Sequence, residues 1–488
     1  MNTPFLPAFR AALAPMGRPT ARAAARVRAY TLCQLENCFG DWLPADLFPK
    51  APAQANSRDR CYTPRRTFWC ALWQGLNLGA SGREVVRQLQ AAFRLEGGPS
   101  LSPADGAYCR ARARLPWDQF PKALAATAQT AKQWAGTTTF LGGRSVKVVD
   151  GTAITLLADT PKNRAAYPAI QCRPGQPSFP MLRLVVLFCL LSGVILATAQ
   201  GSLAVSELAL LNQLTSWLQP ADVLLGDRGF GCYPVIAFLH LTLKVDFIGR
   251  TTRRVDGRSR RRRLGHNDWV VRWQKSAKPS AWLSPAQWLA LPDTLEVRVV
   301  KGSLFRNGFR VRQVAVVTTL LDAETYSAQA ILEAYLRRWT LEMCLDDLKT
   351  TLGLESLRSR SPEMAKKELY QRLIAHNLIR CTMAKAAAEH TVPLERISFK
   401  GCLDAVRHFS HALARAKTKS LRRKLWAELL ATLASDQVPD RPDRREPRAV
   451  KRKINRYPRL TGPRHKFRDH PKRHARRKNA RLKKLGLM

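Results

Sequence analysis

Residues 334–354 read AYLRRWTLEMCLDDLKTTLGL, with Tyr335, Arg338, Glu342 and Lys349 spaced Y-x2-R-x3-E-x6-K. At about 100° per residue these offsets turn through roughly 300°, 400° and 700°, which places the four side chains within an arc of about 60° on one helix face. One carboxylate thus stands among an aromatic and two cations. That suits an acid that holds a metal ion while its neighbours grip phosphates. The plainer alternative is a charged helix surface, because Arg338 and Glu342 also have the i,i+4 spacing of an ordinary ion pair. Asp346 and Asp347 are rival acids on the same helix, and Asp346 lies about 40° from Glu342.

Upstream, RSVKVVD (144–150) predicts a strand ending at Asp150, with Gly151 turning the chain. ADVLLGDRGF (221–230) predicts a short buried strand ending at Asp227. Between them, MLRLVVLFCLLSGVILATA (181–199) has the length of a membrane span but carries Arg183 and is broken by Ser192-Gly193. Two buried strands joined by a Ser-Gly turn account for it better. SLAVSELALLNQLTSWL (202–218) predicts a helix, and CYPVIAFLHLTLKVDFIGR (232–250) a helix followed by a strand. The sum is a mixed α/β pattern built on a sheet.

Each aspartate alone reads more readily as an Asp-Gly type turn, which is common. On neighbouring strands of one sheet, Asp150 and Asp227 would be close, and Glu342 would make a third carboxylate. Three oxygen ligands suit a pair of Mg²⁺ or Mn²⁺ ions. Two such ions can activate a water or a 3′-hydroxyl and stabilise the leaving oxygen of an in-line phosphoryl displacement. Arg338 and Lys349 would bind phosphate oxygens, and Tyr335 could donate a hydrogen bond to one.

Composition narrows the partners. The chain has 488 residues, 81 Lys+Arg against 36 Asp+Glu, and a formal net charge of +45. A charge this large favours a polyanion, and nucleic acid is the first candidate; a ribosome-associated protein is the plainer reading. At 45% hydrophobic residues the chain can build a real core. Its eleven cysteines are odd in number and lack any C-x-x-C, which points to reduced cytosolic thiols. The first residues, MNTPFLPAFRAALAP, lack the apolar core of a signal peptide. The expected location is cytoplasmic, on the nucleoid when DNA is bound, with no membrane partner.

The expected organisation runs as follows. Residues 1–140 form a helical, basic region. Its segments 63–79, 81–95 and 101–116 predict three helices, the last carrying Arg110, Arg112 and Arg114. They fit either a helix-turn-helix-like DNA reader or an ordinary helical domain with a basic face. Residues 141–250 and 326–385 are two parts of one core, separated by a β-rich insertion at 251–325 that holds Trp269, Trp273, Trp282 and Trp288. A helical region follows at 386–440, and a basic tail, expected to be flexible in isolation, at 441–488. The tail and the run Arg258–Arg263 predict non-specific phosphate contacts.

The motifs carry a resemblance. Asp150-Gly151-Thr152, Asp227-Arg228-Gly229-Phe230 and the Tyr335, Arg338, Glu342, Lys349 set are similar to the marks of the insertion-sequence-four family of bacterial DDE transposases. The likeness covers about 145–385. The tail segment REPRAVKRK…YPRLTGPR also resembles that family. The resemblance implies an RNase H-like α/β fold with a β-strand insertion before the acidic helix. It implies Mg²⁺-dependent nicking at element ends and strand transfer into target DNA, with Asp150, Asp227 and Glu342 as the catalytic, metal-holding acids. It further implies that Tyr335, Arg338 and Lys349 handle the terminal DNA strand, and that the protein works as a homodimer on double-stranded DNA. A hairpin intermediate and a flipped base stacked on an insertion tryptophan are further implications, with no single tryptophan marked out. A related nuclease without strand transfer and a non-enzymatic DNA-binding protein are the alternatives.

Overall fold

The computed structural model describes residues 35–48, 61–95, 100–136, 140–168, 179–251, 253, 260–304, 312–416, 418–439 and 471–486. The segment REPRAVKRK…YPRLTGPR, the N-terminal stretch and Arg258-Ser259 of the basic run lie outside them. The chain divides into two compact units. One is helical and comprises Met1–Trp134, Thr351–Gly353 and Lys367–Gln437; the other holds the sheet and comprises Ala135–Thr350, Leu354–Lys366 and Val438–Met488.

The helical unit opens with α1 (Leu35–Phe39), α2 (Pro64–Leu76), α3 (Gly82–Leu95), α4 (Gly106–Arg114) and α5 (Gln119–Lys132). The Thr63 side chain caps α2 by accepting from the Arg66 amide, and Pro64 sits in the first turn, where its missing N–H costs nothing. α3 buries Val85, Val86, Leu89 and Phe93, an apolar stripe at helical spacing. α4 exposes Arg110 and Arg114. Its third arginine turns inward, where Arg112 Nη1 donates to Gln74 Oε1 at 2.8 Å beside the Tyr108 hydroxyl at 3.1 Å. Two outward arginines, rather than three, are therefore available on that helix.

The sheet unit contains β1 (Val146–Ile154), β2 (Leu156–Leu157), β3 (Leu182–Cys189), β4 (Ile195–Ser202), β5 (Val223–Gly226), β6 (Asp246–Arg250), β7 (Arg260–Gly265), β8 (Asp268–Gln274), β9 (Thr294–Leu304), β10 (Arg312–Thr318) and β11 (Ser356–Leu357). Nine strands form one sheet in the order β4-β3-β1-β5-β6-β10-β9-β8-β7. β4, β3 and β1 are antiparallel neighbours, while β1, β5 and β6 run parallel. This five-strand core is RNase H-like. β10, β9, β8 and β7 extend it by antiparallel pairing, so the inserted strands continue the core sheet. The 181–199 stretch is the β3–β4 hairpin, turned at Gly193 with φ 70°. No helix among the described residues is long and apolar enough to cross a membrane.

Short helices α6 (Pro161–Ala166), α7 (Glu207–Asn212), α8 (Tyr233–Ala237) and α9 (Pro285–Ala290) connect the strands. The helix expected over 202–218 is thus only α7 and a 3₁₀ turn at Thr215–Trp217. Its first residue, Ser202, still belongs to β4, and Ser206 caps the helix by accepting from the Ala209 amide. The long helix α10 (Ala328–Asp346) is capped by Ser327 and packs across β5, β6, β9 and β10. Beyond it come α11 (Pro362–His390), α12 (Phe399–Arg415), α13 (Lys419–Ser435) and α14 (Pro471–Lys484). Within the tail, Pro471–Lys484 is helical. Its Lys, Arg, Ala and Leu residues are strong helix formers.

At the starting end of the parallel strands, Asp246 gathers Arg144 Nη2 at 2.6 Å, His240 Nδ1 at 3.0 Å and Thr319 Oγ1 at 2.5 Å. Burial alone would raise its pKa; the bonds from His240, Thr319 and Arg144 outweigh that and hold it at about 2. A depressed folded pKa stabilises the protein above the unfolded carboxyl's value and is lost as pH falls through the folded one. Acid denaturation should therefore show a loss of about 2 kcal/mol between roughly pH 4 and pH 2. Asp246→Asn should remove that acid limb in pH-dependent urea melts.

Candidate active site

β1 does not end at Asp150. Its pairing with β3 continues to Ile154, so Asp150 sits mid-strand. What ends there is the other neighbour: β5 pairs with β1 only through Val146–Val223, Lys147–Leu224 and Val148–Leu225. Asp150 and Asp227 each lie two residues beyond the last pair. Side chains alternate along a strand, so both acids stand level and on one face, where the sheet opens. Each is steadied by a local amide: Asp150 Oδ1 accepts from Gly151 N and Asp227 Oδ1 from Gly229 N, both at 2.8 Å.

α10 supplies the third acid. Its buried stripe runs Ile331, Tyr335, Arg338, Leu341, Leu345 and Leu348, at spacings of three and four. Arg338 therefore occupies a core position while Glu342, one turn on, is exposed. Past Asp346 the helix widens into a π turn at Asp347–Thr351. The uniform rotation assumed for Lys349 thus fails there, because an i→i+5 turn winds less per residue. Lys349 nevertheless reaches the same cleft.

That cleft has a volume of about 300 Å³ and is lined by Asp150, Asp227, Arg338, Glu342, Asp346 and Lys349, among others. Tyr335 does not line it. It is 2% exposed, and the Arg338 guanidinium lies 5.5 Å from its ring centroid. Burial pushes its hydroxyl's pKa up, against the lowering pull of Arg338. Arg338 Nη2 donates to Glu342 Oε1 at 2.7 Å, and Nη1 stands 3.9 Å from Asp150 Oδ2. The i,i+4 pair that the spacing allowed is thus formed. Arg338 Nε is buried with no hydrogen-bond partner among the described residues.

Burial pushes the Asp150 carboxyl up to about 6; Arg338 and the Gly151 amide oppose this, and Asp227 and Glu342 add to it. A raised folded pKa means the unfolded chain loses this proton first, so stability falls as pH rises from about 4 to about 6. Without divalent ions, Asp150→Asn should therefore unfold later than wild type at pH 7.5, by about 2 kcal/mol. The gain should vanish at pH 4. Thermal melts in EDTA at the two pH values measure it.

The donor set is chemically right for a hard divalent cation, being carboxylate oxygen throughout. Among the described residues no group of three or more His, Cys, Asp or Glu has the spacing to hold a metal ion. The positive charge that Glu342 and Asp150 meet in this structure is the Arg338 guanidinium. One neighbour of the cleft residue Gly151 had no sequence signal. The Glu207 carboxylate, at the start of α7, packs so closely on Gly151 that a Cβ there would fall 2.5 Å from Glu207 Cδ. Fifty-six positions separate the two residues, and no local pattern joins them.

Residues 141–378 match the family described as the transposase DDE domain. The chain is 26% identical over 435 residues to transposase InsG for insertion sequence element IS4 of Escherichia coli (strain K12), covering 86% of this chain and 93% of that protein. A shorter stretch of 64 residues is 36% identical to putative transposase InsL for insertion sequence element IS186A of Escherichia coli (strain K12), covering 13% of this chain and 17% of that one. Among solved structures, the piggyBac transposase synaptic complex with hairpin DNA aligns over 80% of this chain and 81% of that chain. Its TM-score is 0.40 at 10% identity.

Proposed function

We propose that this chain, which carries a transposase DDE domain homologous to that of InsG, is a DNA transposase. It cuts DNA at the ends of an insertion sequence and joins those ends to target DNA. The observation that carries the reading is the level placement of Asp150 and Asp227 at the open end of two adjacent strands, in one cleft with Glu342.

Asp150, Asp227 and Glu342 would hold divalent cations, Mg²⁺ or Mn²⁺, two per site. When bound, such ions would supply Lewis-acid stabilisation of the charge on the reacting phosphate and ease deprotonation of a water or 3′-hydroxyl. The chain's own side chains do the rest. Lys349 and Arg338 take phosphate oxygens of the terminal strand, Arg338 in a two-pronged fork. Tyr335 is buried and acts through Arg338, whose guanidinium it flanks. Arg110 and Arg114 on α4, exposed Arg262 and Arg263 on β7, and the basic helix α14 contribute phosphate contacts along the duplex. Residues 1–140 serve as the DNA-binding region, 141–250 with 326–385 as the catalytic core, and 251–325 as its insertion; 386–440 and 441–488 complete the chain. Two ends must be held together, so the working form is a homodimer on double-stranded DNA in the cytoplasm.

The test is a joining assay. Pre-cleaved DNA carrying the sequence that flanks this gene, with free 3′-hydroxyls, is incubated with a supercoiled target plasmid and Mg²⁺. Joined products that disappear in EDTA are expected. Cleavage without joining would make the protein a nuclease, and binding without either reaction a DNA-binding protein only.

A further inference from the structure

Arg338 is 7% exposed and sits on the buried stripe of α10, an expensive place for a charge. Its visible compensation is Glu342 at 2.7 Å, Asp150 at 3.9 Å and Tyr335, which meets it with both ring and hydroxyl. Its Nε hydrogen is spent on nothing among the described residues. A buried donor left unmatched keeps its desolvation cost, so the guanidinium stands one good acceptor short at Nε.

Both carboxylates it touches are ones the proposed function requires for a cation. A guanidinium and a divalent ion compete for the same oxygen. A phosphate, by contrast, offers the guanidinium the paired acceptors that Glu342 and the more distant Asp150 supply only in part. We infer that Arg338 is a DNA-released lock on the cleft. In the DNA-free protein it occupies Glu342; an arriving phosphate draws the guanidinium away and frees Glu342 for metal. Metal uptake and DNA engagement are then coupled, and by linkage each raises the affinity of the other by the same factor. The consequence is that the free protein is a poor metal-loaded nuclease and becomes competent on its substrate. This inference rests on the proposed role of the carboxylates as metal holders.

The experiment titrates the full-length, DNA-free protein with Mn²⁺ and follows free Mn²⁺ by electron paramagnetic resonance. Arg338→Gln should bind Mn²⁺ at least about tenfold more tightly than wild type, within the usual range of coupling factors. Lys349→Gln removes a charge from the same cleft without freeing Glu342, and should gain less than about threefold. Arg338→Lys keeps the charge but loses the fork, and should fall between the two. Equal affinities for Arg338→Gln and wild type, or an equal gain for Lys349→Gln, overturns the lock. Circular dichroism checks folding. If Arg338→Gln does not fold, Arg338→Lys carries the test, and an affinity equal to wild type overturns the proposal. A second arm separates the two levels of the argument. Asp150→Asn placed in the tight-binding variant should abolish the Mn²⁺ binding; binding that survives would mean the acids do not hold the metal, and the functional reading fails with it.

Discussion

Asp227→Asn and Asp150→Asn are each expected to lower Mg²⁺-dependent DNA cleavage by at least about 10³-fold, a loss of roughly 4 kcal/mol of transition-state stabilisation. Both acids stand level where β5 gives out, and each projects into the cleft opposite Glu342. An amide has nearly the shape of a carboxylate but no charge, and it is a weak ligand for a hard cation. DNA affinity should stay within about twofold, because phosphate binding rests on the chain's lysines and arginines. Asp150→Asn is the more telling of the two. It should be more stable than wild type in EDTA at pH 7.5 and yet inactive, which separates loss of chemistry from loss of fold. Single-turnover cleavage and a filter-binding titration on the same preparations measure both quantities. Cleavage within tenfold of wild type in both variants would remove the two aspartates from the mechanism.

The largest effect on stability is expected at Arg298. This arginine of β9 is fully buried and grips Asp268 of β8 with two bonds, Nε to Oδ1 at 2.9 Å and Nη2 to Oδ2 at 2.6 Å. Its remaining nitrogen, Nη1, donates to the carbonyls of Tyr326 at 2.6 Å, Asp322 at 3.3 Å and Leu320 at 3.4 Å. Those carbonyls belong to the turn that delivers Ser327, the cap of α10. One guanidinium therefore ties two inserted strands to the start of the helix carrying Glu342. Arg298→Met would leave the Asp268 carboxylate, 3% exposed as a residue, without a counter-charge. The expected destabilisation is about 3–5 kcal/mol in urea unfolding. Replacing both partners, Arg298→Met with Asp268→Leu, should recover part of it, since no charge is then stranded. A single-variant loss below about 1 kcal/mol would show that the pair is not structural.

Much of the core was legible because its signals are local. The apolar runs before Asp150 and Asp227 are short and bounded by Asp and Gly, and the 181–199 stretch is interrupted where a hairpin must turn. The apolar period of α10 announces a helix. Three features were not legible, each because it depends on distant chain. The level of Asp150 with Asp227 follows from a parallel register between residues 77 positions apart. The continuation of β1 past Asp150 follows from β3, which pairs it to Ile154. The burial of Tyr335 and Arg338 follows from which side of α10 meets the sheet; periodicity locates the stripe, but a tyrosine and an arginine within it read as a polar face. The π turn at Asp347–Thr351 is a fourth departure, although Lys349 within it still lines the cleft that uniform helix rotation assigns to it. The Arg298–Asp268 pair, 30 residues apart across two strands, has no local pattern that marks it.

The central claim is that the cleft between β1, β5 and α10 cuts DNA through its carboxylates. The most direct measurement is Mg²⁺-dependent cleavage of the DNA flanking this gene by wild type, Glu342→Gln and Asp346→Asn, with cut sites mapped to the nucleotide. The account predicts wild-type cuts at matched inverted repeats, none with Glu342→Gln, and cuts retained with Asp346→Asn. Cleavage that persists in Glu342→Gln and disappears in Asp346→Asn would contradict the assignment of the third acid. Cleavage that persists in both would contradict the claim itself.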